Sequence, residues 1–252
     1  MKREPTSEEI LRFSSARTQV LSESVSWGGI GALSEKTLHK ILKLYVEPDI
    51  TKHEVKYLGS VADVKNGEGV IEVQTRNYDK LAPKIKKFLA QAPVRVICPL
   101  AEEKWLSWID EKTGEISDKR KSPKKEGIYD ALKLLHGIRS VITDPRLTVT
   151  VVYMRVDEYK NLNGWDVTGK RGATRLERIP TALLHTEDIT SVEYYKELIP
   201  DNLGEEFLAK DFCRAIKRTS RYSYYILKLL VAAGALRESG MRGRAVVYQR
   251  IK

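Results

Sequence analysis

Two acidic residues, Asp63 and Glu72, flank a strong hairpin signal, the turn 66–69 with the sequence NGEG. The residues on both sides of this turn have a β-strand pattern, so the hairpin places Asp63 within reach of Glu72. Gln74 falls on the same strand face as Glu72, because side chains alternate across a strand. Two carboxylates brought together in this way form a hard oxygen site, which predicts binding of Mg²⁺ or Mn²⁺.

The sequence around this hairpin predicts a mixed sheet with helices packed on it, a fold of the α/β class. The first helix has an N-cap candidate at Ser34 and an apolar stripe from Leu38 to Tyr45, and it ends before Pro48. The next elements are strands at 53–57, 60–65 and 70–75, a basic amphipathic helix at 78–90 and an apolar strand at 94–100. The resulting order is α-β-β-β-α-β.

In this order, the residues resemble the PD-(D/E)XK phosphodiesterase superfamily, whose core is α-β-β-β-α-β with Asp on the second strand and (Asp/Glu)-x-Lys on the third. The resemblance covers roughly residues 33–100 and implies a restriction endonuclease-like mixed sheet flanked by helices. By this likeness, Asp63 and Glu72 would ligate the metal together with the carbonyl of Val73. Glu35, early in the first helix, matches an acidic residue that many members place beside the site.

The sequence departs from the superfamily pattern at Gln74, which stands where Lys is usual. A glutamine carries no charge and takes no proton, so it could orient the attacking water but could not stabilise a pentacoordinate phosphate as an ammonium does. Lys65 or Lys56 on adjacent strands would supply the missing charge. Asp49 and Glu54 spell the motif literally with Lys56, but the four residues between the two acids are too few to place them on paired hairpin strands.

The C-terminal fifth of the chain holds most of the positive charge. Residues 203–252 contain 11 Lys and Arg against 4 Asp and Glu, a net +7 out of the +10 of the whole chain. The pattern is helix, tight turn, helix and basic hairpin, and over roughly the last sixty residues it resembles a winged helix-turn-helix domain, a small α+β fold. The alternative is a protein-binding winged helix with solvated arginines.

By this resemblance, the N-terminal end of the second helix meets base edges in the major groove, and the wing meets phosphate or the minor groove. The predicted DNA-binding residues are Lys217, Arg218, Thr219, Ser220, Arg221, Tyr222 and Tyr224 on the turn and helix, and Arg242 and Arg244 on the wing. Helical spacing assigns Tyr225 to the core and leaves Tyr222 more exposed.

Composition and the placement of glycine and proline residues divide the chain into four predicted parts. With 42% apolar residues it forms a real core, and 31% charged residues cover its surface. The predicted parts are a polar arm or helix at 1–32, the nuclease-like domain at 33–160, a linker rich in Gly and Arg at 161–186 and the winged helix at 187–252. Cys98 and Cys213 have no metal-site spacing and are interpreted as small buried hydrophobes.

These observations predict a Mg²⁺- or Mn²⁺-dependent DNA endonuclease that acts on double-stranded DNA. A pI near 9.4 favours a polyanionic partner, and the sequence contains neither a signal core nor an apolar membrane span, so we expect a cytoplasmic protein. A homodimer would suit the cutting of both strands. Gln74 keeps a second hypothesis open, a DNA-binding regulator whose nuclease-like domain is inactive. A third is an adaptor for RNA or protein.

Overall fold

The computed structural model describes residues 2–25, 36–110, 112–161 and 174–251. Its helices are α1 Ser7–Val25, α2 Lys36–Val46, α3 Tyr78–Leu89, α4 Ile128–Leu135, α5 Val192–Glu197, α6 Ala209–Ala215 and α7 Ser220–Ala232. Its strands are β1 His53–Tyr57, β2 Ser60–Asn66, β3 Gly69–Val73, β4 Val94–Ile109, β5 Arg120–Lys121, β6 Leu147–Asn161, β7 Arg175–Ile189, β8 Glu206–Leu208, β9 Leu236–Arg242 and β10 Ala245–Arg250. Short 3-10 helices occupy Ile50–Lys52 and His136–Val141.

Seven strands of the described ranges form one mixed sheet, in the order β1-β2-β3-β4-β6-β7 with β5 paired to β4. β2 and β3 are antiparallel, as the predicted hairpin requires, whereas β3 and β4 are parallel. The parallel pair needs a crossover connection, which α3 provides. The predicted α/β class, a mixed sheet flanked by helices, is therefore confirmed. No helix in the described part of the chain is long and apolar enough to cross a membrane.

The chain forms two compact units that are discontinuous in sequence. Unit 1 is Met1–Glu54, Pro99–Gly127 and Val152–Glu187; unit 2 is Val55–Cys98, Ile128–Val151 and Asp188–Lys252. The predicted division was sequential instead. The difference arises because the long strands β4, β6 and β7 each contribute residues to both units. β7 also occupies part of 161–186, which the composition had indicated as a linker.

In unit 1, most of the predicted arm at 1–32 is the helix α1. It begins with a capping box in which the Glu9 N–H donates to Thr6 Oγ1 at 3.2 Å and the Thr6 N–H donates to Glu9 Oε2 at 2.8 Å. A hydrogen bond from Arg3 lowers the pKa of Glu9 to about 2. The buried ring of Phe13 packs edge-on against Tyr45 of α2 at 5.7 Å between centroids, so α1 is part of the fold.

In unit 2, the C-terminal segment combines a small sheet with two helices. β8, β10 and β9 form a three-stranded antiparallel sheet in that order, and α6 and α7 lie between β8 and β9 in the sequence. Phe212 of α6 is completely buried, with its ring 6.1 Å from that of Phe207 and 6.4 Å from that of Tyr129 in α4. Aromatic packing therefore fixes α6 to β8 and α4.

Candidate active site

Asp63 and Glu72 meet at the open end of the β2–β3 hairpin. The backbone pairing runs from Asn66 and Gly69 to Val64 and Ile71. Beyond it, the two acidic side chains make the cross-strand bonds. The Val73 N–H donates to Asp63 Oδ2 at 2.8 Å, and the Asp63 N–H donates to Glu72 Oε1 at 3.3 Å. These bonds hold the two carboxylates next to each other.

The turn of the same hairpin is fixed by Gly69. Its φ is +143°, and a Cβ on this residue would lie 2.4 Å from the carbonyl oxygen of Pro93. The adjacent Val70 N–H donates to that oxygen at 2.9 Å. A side chain at position 69 would force the start of β3 away from Pro93, which directly precedes β4. The glycine therefore sets the position of the strand from which Glu72 projects.

Glu72 is buried, and its surroundings disfavour the ionised form of its carboxyl group. The residue is 1% exposed on a strand whose five residues are all buried. Burial and the neighbouring Asp63 carboxylate raise the pKa of Glu72 to about 7, although a hydrogen bond from Lys84 acts in the opposite direction. The Lys84 ammonium, on α3, donates to Glu72 Oε2 at 2.6 Å. The pair is therefore an acid cluster that a cation would stabilise.

We expect the Glu72→Gln substitution to change the pH dependence of stability in EDTA. Because the folded-state pKa lies above the ordinary value of 4.5, the wild type loses stability as pH rises from about 5 through 7. The glutamine variant lacks this loss, so its advantage should grow by on the order of 2 kcal/mol between pH 5 and 8. Thermal unfolding of both proteins, with Glu68→Gln in the exposed turn as control, measures the difference. Parallel pH profiles would contradict the expectation.

The donor set fits a hard divalent cation. Asp63 and Glu72 supply carboxylate oxygens at one place, and Mg²⁺ commonly binds one or two carboxylates and fills its other positions with water and substrate phosphate. Across the described ranges, no three His, Cys, Asp or Glu side chains come together as a metal-binding group. Glu35, the predicted third acid, lies outside the described residues.

The other predicted residues of the site have different surroundings. Gln74 follows β3, and its amide donates to the Arg76 carbonyl, so it is turned toward the α3 connection. Lys65 donates to the carbonyl of Asn66 at 2.9 Å and lies 5.4 Å from the Tyr57 ring centroid. Val73 joins the site through its N–H, and its carbonyl ligand stays a prediction.

Lys56 and Glu54, which the sequence offers as additional groups for the site, have surroundings of their own. Lys56 is exposed on β1, and Glu54 of the literal motif pairs with Lys43 in unit 1. The ammonium beside Glu72 comes instead from Lys84 of α3. Lys84 lies three residues after Leu81 and four before Phe88, both buried, and this position beside the apolar stripe of α3 was the available signal.

Most predicted DNA-binding residues are at the surface of unit 2. Exposed residues of the turn and of α7 are Lys217, Arg218, Thr219, Ser220, Arg221 and Tyr224, and Arg242 and Arg244 are exposed at the tip of the β9–β10 hairpin. Thr219 is the N-cap of α7 and accepts a hydrogen bond from the Tyr222 N–H. Tyr224 is 51% exposed.

Tyr222 is less exposed than helical spacing indicated. Its hydroxyl donates to Asp130 of α4, and Arg218 donates to the other carboxylate oxygen of Asp130 at 3.0 Å. Burial and the Asp130 contact raise the pKa of Tyr222. Tyr225, predicted in the core, is half-buried. The physical reason is that α7 packs on α4 as well as on its own sheet, which gives it a second covered face.

Fold and site together define an α/β protein in which a buried glutamate, a half-buried aspartate and a lysine meet at the open end of a hairpin. The chain belongs to the family described as Domain of unknown function (DUF8091), which matches residues 36–190. A relative from Treponema pallidum (strain Nichols), described as an uncharacterized protein, is 25% identical over 228 residues, covering 88% of this chain and 87% of the relative. No solved structure matches the chain.

Proposed function

We propose that the protein is a metal-dependent DNA endonuclease of restriction endonuclease-like fold, brought to double-stranded DNA by a C-terminal winged helix. The observation that carries the proposal is the meeting of Asp63 and Glu72 where the β2–β3 pairing ends, with Lys84 bonded to Glu72. Perturbed acids with a specific charge partner are typical of functional sites.

The arrangement of the elements supports the finer fold. α2, β1, β2, β3, α3 and β4 follow one another in the order that the resemblance implies, with β2–β3 antiparallel and β3–β4 parallel. The acids lie on the second and third strands of this order. A C-terminal sheet with α6 and α7 between its strands supports the winged helix.

The proposed reaction is hydrolysis of a phosphodiester bond. Water attacks phosphorus in line, a new P–O bond forms, and the bond to the 3′ oxygen breaks, so that the strand ends are a 5′-phosphate and a 3′-hydroxyl. A bound Mg²⁺ or Mn²⁺ would polarise the phosphate and make water a better nucleophile. Asp63 and Glu72 would hold the cation. Lys84 would favour the ionised form of Glu72 and place a positive charge beside the phosphate.

Supercoiled plasmid tests this proposal directly. We expect the wild type to nick or linearise plasmid DNA in Mg²⁺ or Mn²⁺ and to be inactive in EDTA. Thermal unfolding should also show stabilisation of the fold by either cation, because a ligand that binds only the folded state raises its stability. Duplex binding without cleavage or stabilisation in any metal would overturn the endonuclease.

A regulator with an inactive nuclease-like domain is the second candidate. The observation that favours it is the amide of Gln74, which is bonded to the Arg76 carbonyl at the position where the superfamily pattern has lysine. This function predicts salt-dependent duplex binding with no response to metal. The plasmid and unfolding measurements therefore separate the two functions.

The wing should contribute to DNA affinity through phosphate contacts. We expect the double substitution Arg242→Ala/Arg244→Ala to weaken binding to all duplex sequences alike, because both exposed side chains are predicted to meet backbone phosphates. The slope of log affinity against log salt should fall by about 2, one counterion for each lost contact. Fluorescence anisotropy at several salt concentrations measures this slope. The double substitution Arg139→Ala/Arg146→Ala removes the same charge elsewhere in unit 2 and should leave the slope unchanged.

A further inference from the structure

Apart from the acid pair, unit 2 contains a cleft with a volume of about 610 Å³. Its walls come from the start of α3, the end of α4 with the following 3-10 segment, and the start of α7. The lining includes Asp79, Lys133, His136, Arg221, Tyr222 and Tyr225. This volume is in the range of pockets that hold a small organic ligand.

Aromatic rings form one side of the cleft and are held in place. The rings of His136 and Tyr225 lie 5.0 Å apart in an edge-to-face arrangement. Tyr222 is fixed by its hydrogen bond to Asp130, and the Lys133 ammonium lies 4.9 Å from its ring centroid. Burial and the nearby charge of Arg139 lower the pKa of His136, which favours the neutral form of its ring. Because these side chains are already held in place, a planar ring can stack on them without a loss of side-chain entropy in the cleft.

The floor of the cleft is equally rigid. A Cβ added to Gly137 would lie 2.5 Å from the backbone nitrogen of Asp79, so the 3-10 segment and the start of α3 are in direct contact. The wall that carries His136 is therefore packed against the helix that carries Lys84. A cleft built on such a contact is present before any ligand arrives.

Two cations lining the cleft have no anionic partner among the described residues. Lys133 and Arg221 are both exposed and form no ion pair within the described ranges, whereas Arg218 next to them is paired with Asp130. One carboxylate, that of Asp79, also lines the cleft and could accept hydrogen bonds from N–H groups. Rings, free cations and a single acceptor are the features that a nucleotide requires of its site.

We propose that this cleft binds one unpaired nucleotide of the DNA strand, with its base against Tyr225 and His136 and its phosphate on Lys133 and Arg221. The inference rests on the proposed function and names its substrate as DNA that contains unpaired positions. α3 connects the two places, because Tyr78 at the cleft and Lys84 at the acid pair are six residues apart, on the order of 9 Å along a helix. α3 thus contributes a residue to each place.

The test uses fluorescence anisotropy in EDTA, so that binding is measured without cleavage. The probes are a short duplex with one unpaired thymidine, the same duplex fully paired, and thymidine monophosphate as competitor. The wild type should prefer the unpaired duplex, and Lys133→Glu should weaken that complex by on the order of tenfold. Lys112→Glu makes the same charge change in unit 1 and should keep the preference. Crosslinking of 5-iodouridine at the unpaired position should map to Tyr225, Tyr222 or His136.

Equal affinity of the wild type for both duplexes, equal behaviour of the two variants, or crosslinks elsewhere would overturn the proposal. Competition by thymidine monophosphate as strong as that by the unpaired duplex would assign the cleft to free nucleotides instead. The endonuclease is judged separately by plasmid cleavage. If the protein cleaves plasmid but shows no preference for unpaired positions, the endonuclease proposal stands and the cleft proposal fails. If it prefers unpaired positions but never cleaves, the cleft proposal stands and the endonuclease proposal fails.

Discussion

The Glu72→Gln variant is expected to lose metal-dependent DNA cleavage by on the order of 1000-fold while it still binds duplex DNA. Glu72 is buried beside Asp63, and its two oxygens are the acceptors for the Asp63 N–H and for Lys84. A glutamine keeps the shape but removes the charge that would hold the cation. The strand should stay in place, because the amide oxygen still accepts one of these bonds.

Glu68→Gln is the matched control, since Glu68 is exposed in the turn of the same hairpin. It should cleave at the wild-type rate. Asp63→Asn should be as impaired as Glu72→Gln, and the double variant no worse than either, because residues that act as one unit do not have additive effects. Cleavage within tenfold of wild type in Glu72→Gln would show that the acid pair is not the catalytic site.

Phe212→Ala is expected to destabilise the protein by about 3–5 kcal/mol, the largest stability effect that we anticipate. The side chain has no exposed surface and contacts the rings of Phe207 and Tyr129. Truncation would leave a cavity between α6, β8 and α4. Because these elements support α7, duplex binding should fail at a lower temperature than in the wild type.

Denaturant unfolding at constant temperature measures the loss, and Phe212→Leu is the conservative control. Leucine fills most of the volume, so its cost should remain below about 1.5 kcal/mol. Similar midpoints for the alanine and leucine variants would mean that the aromatic cluster does not support the C-terminal elements.

The hairpin and the element order could be predicted because both depend on local sequence. The turn 66–69 sets the register of β2 and β3, and that register alone brings Asp63 beside Glu72. The contact of Lys84 with Glu72 could not be predicted, since it depends on how α3 is rotated on the sheet. Periodicity shows which side of a helix is buried, and the reach of a lysine at the border of that side is set by tertiary packing.

The C-terminal helices show the same limit. The pattern predicted α7 as the second helix of the C-terminal segment, but it assumed one buried face for this helix. Packing against α4 adds a second face and covers Tyr222. Local sequence also does not show that α4 ends at Leu135 and that a 3-10 helix follows. Close contact between Gly137 and the start of α3, distant in sequence, accompanies this change.

Asp130 of α4 engages two side chains that the proposal assigns to DNA. Its two oxygens accept hydrogen bonds from Arg218 and Tyr222, side chains that the proposed winged helix would present to DNA. A strand that takes over these donors must first displace the carboxylate, so the free energy of the α4–α7 contact is subtracted from the affinity at this end of the helix. If the proposed DNA contact uses these two donors, DNA binding would compete with the attachment of α7 to α4, and each would weaken the other by the same amount.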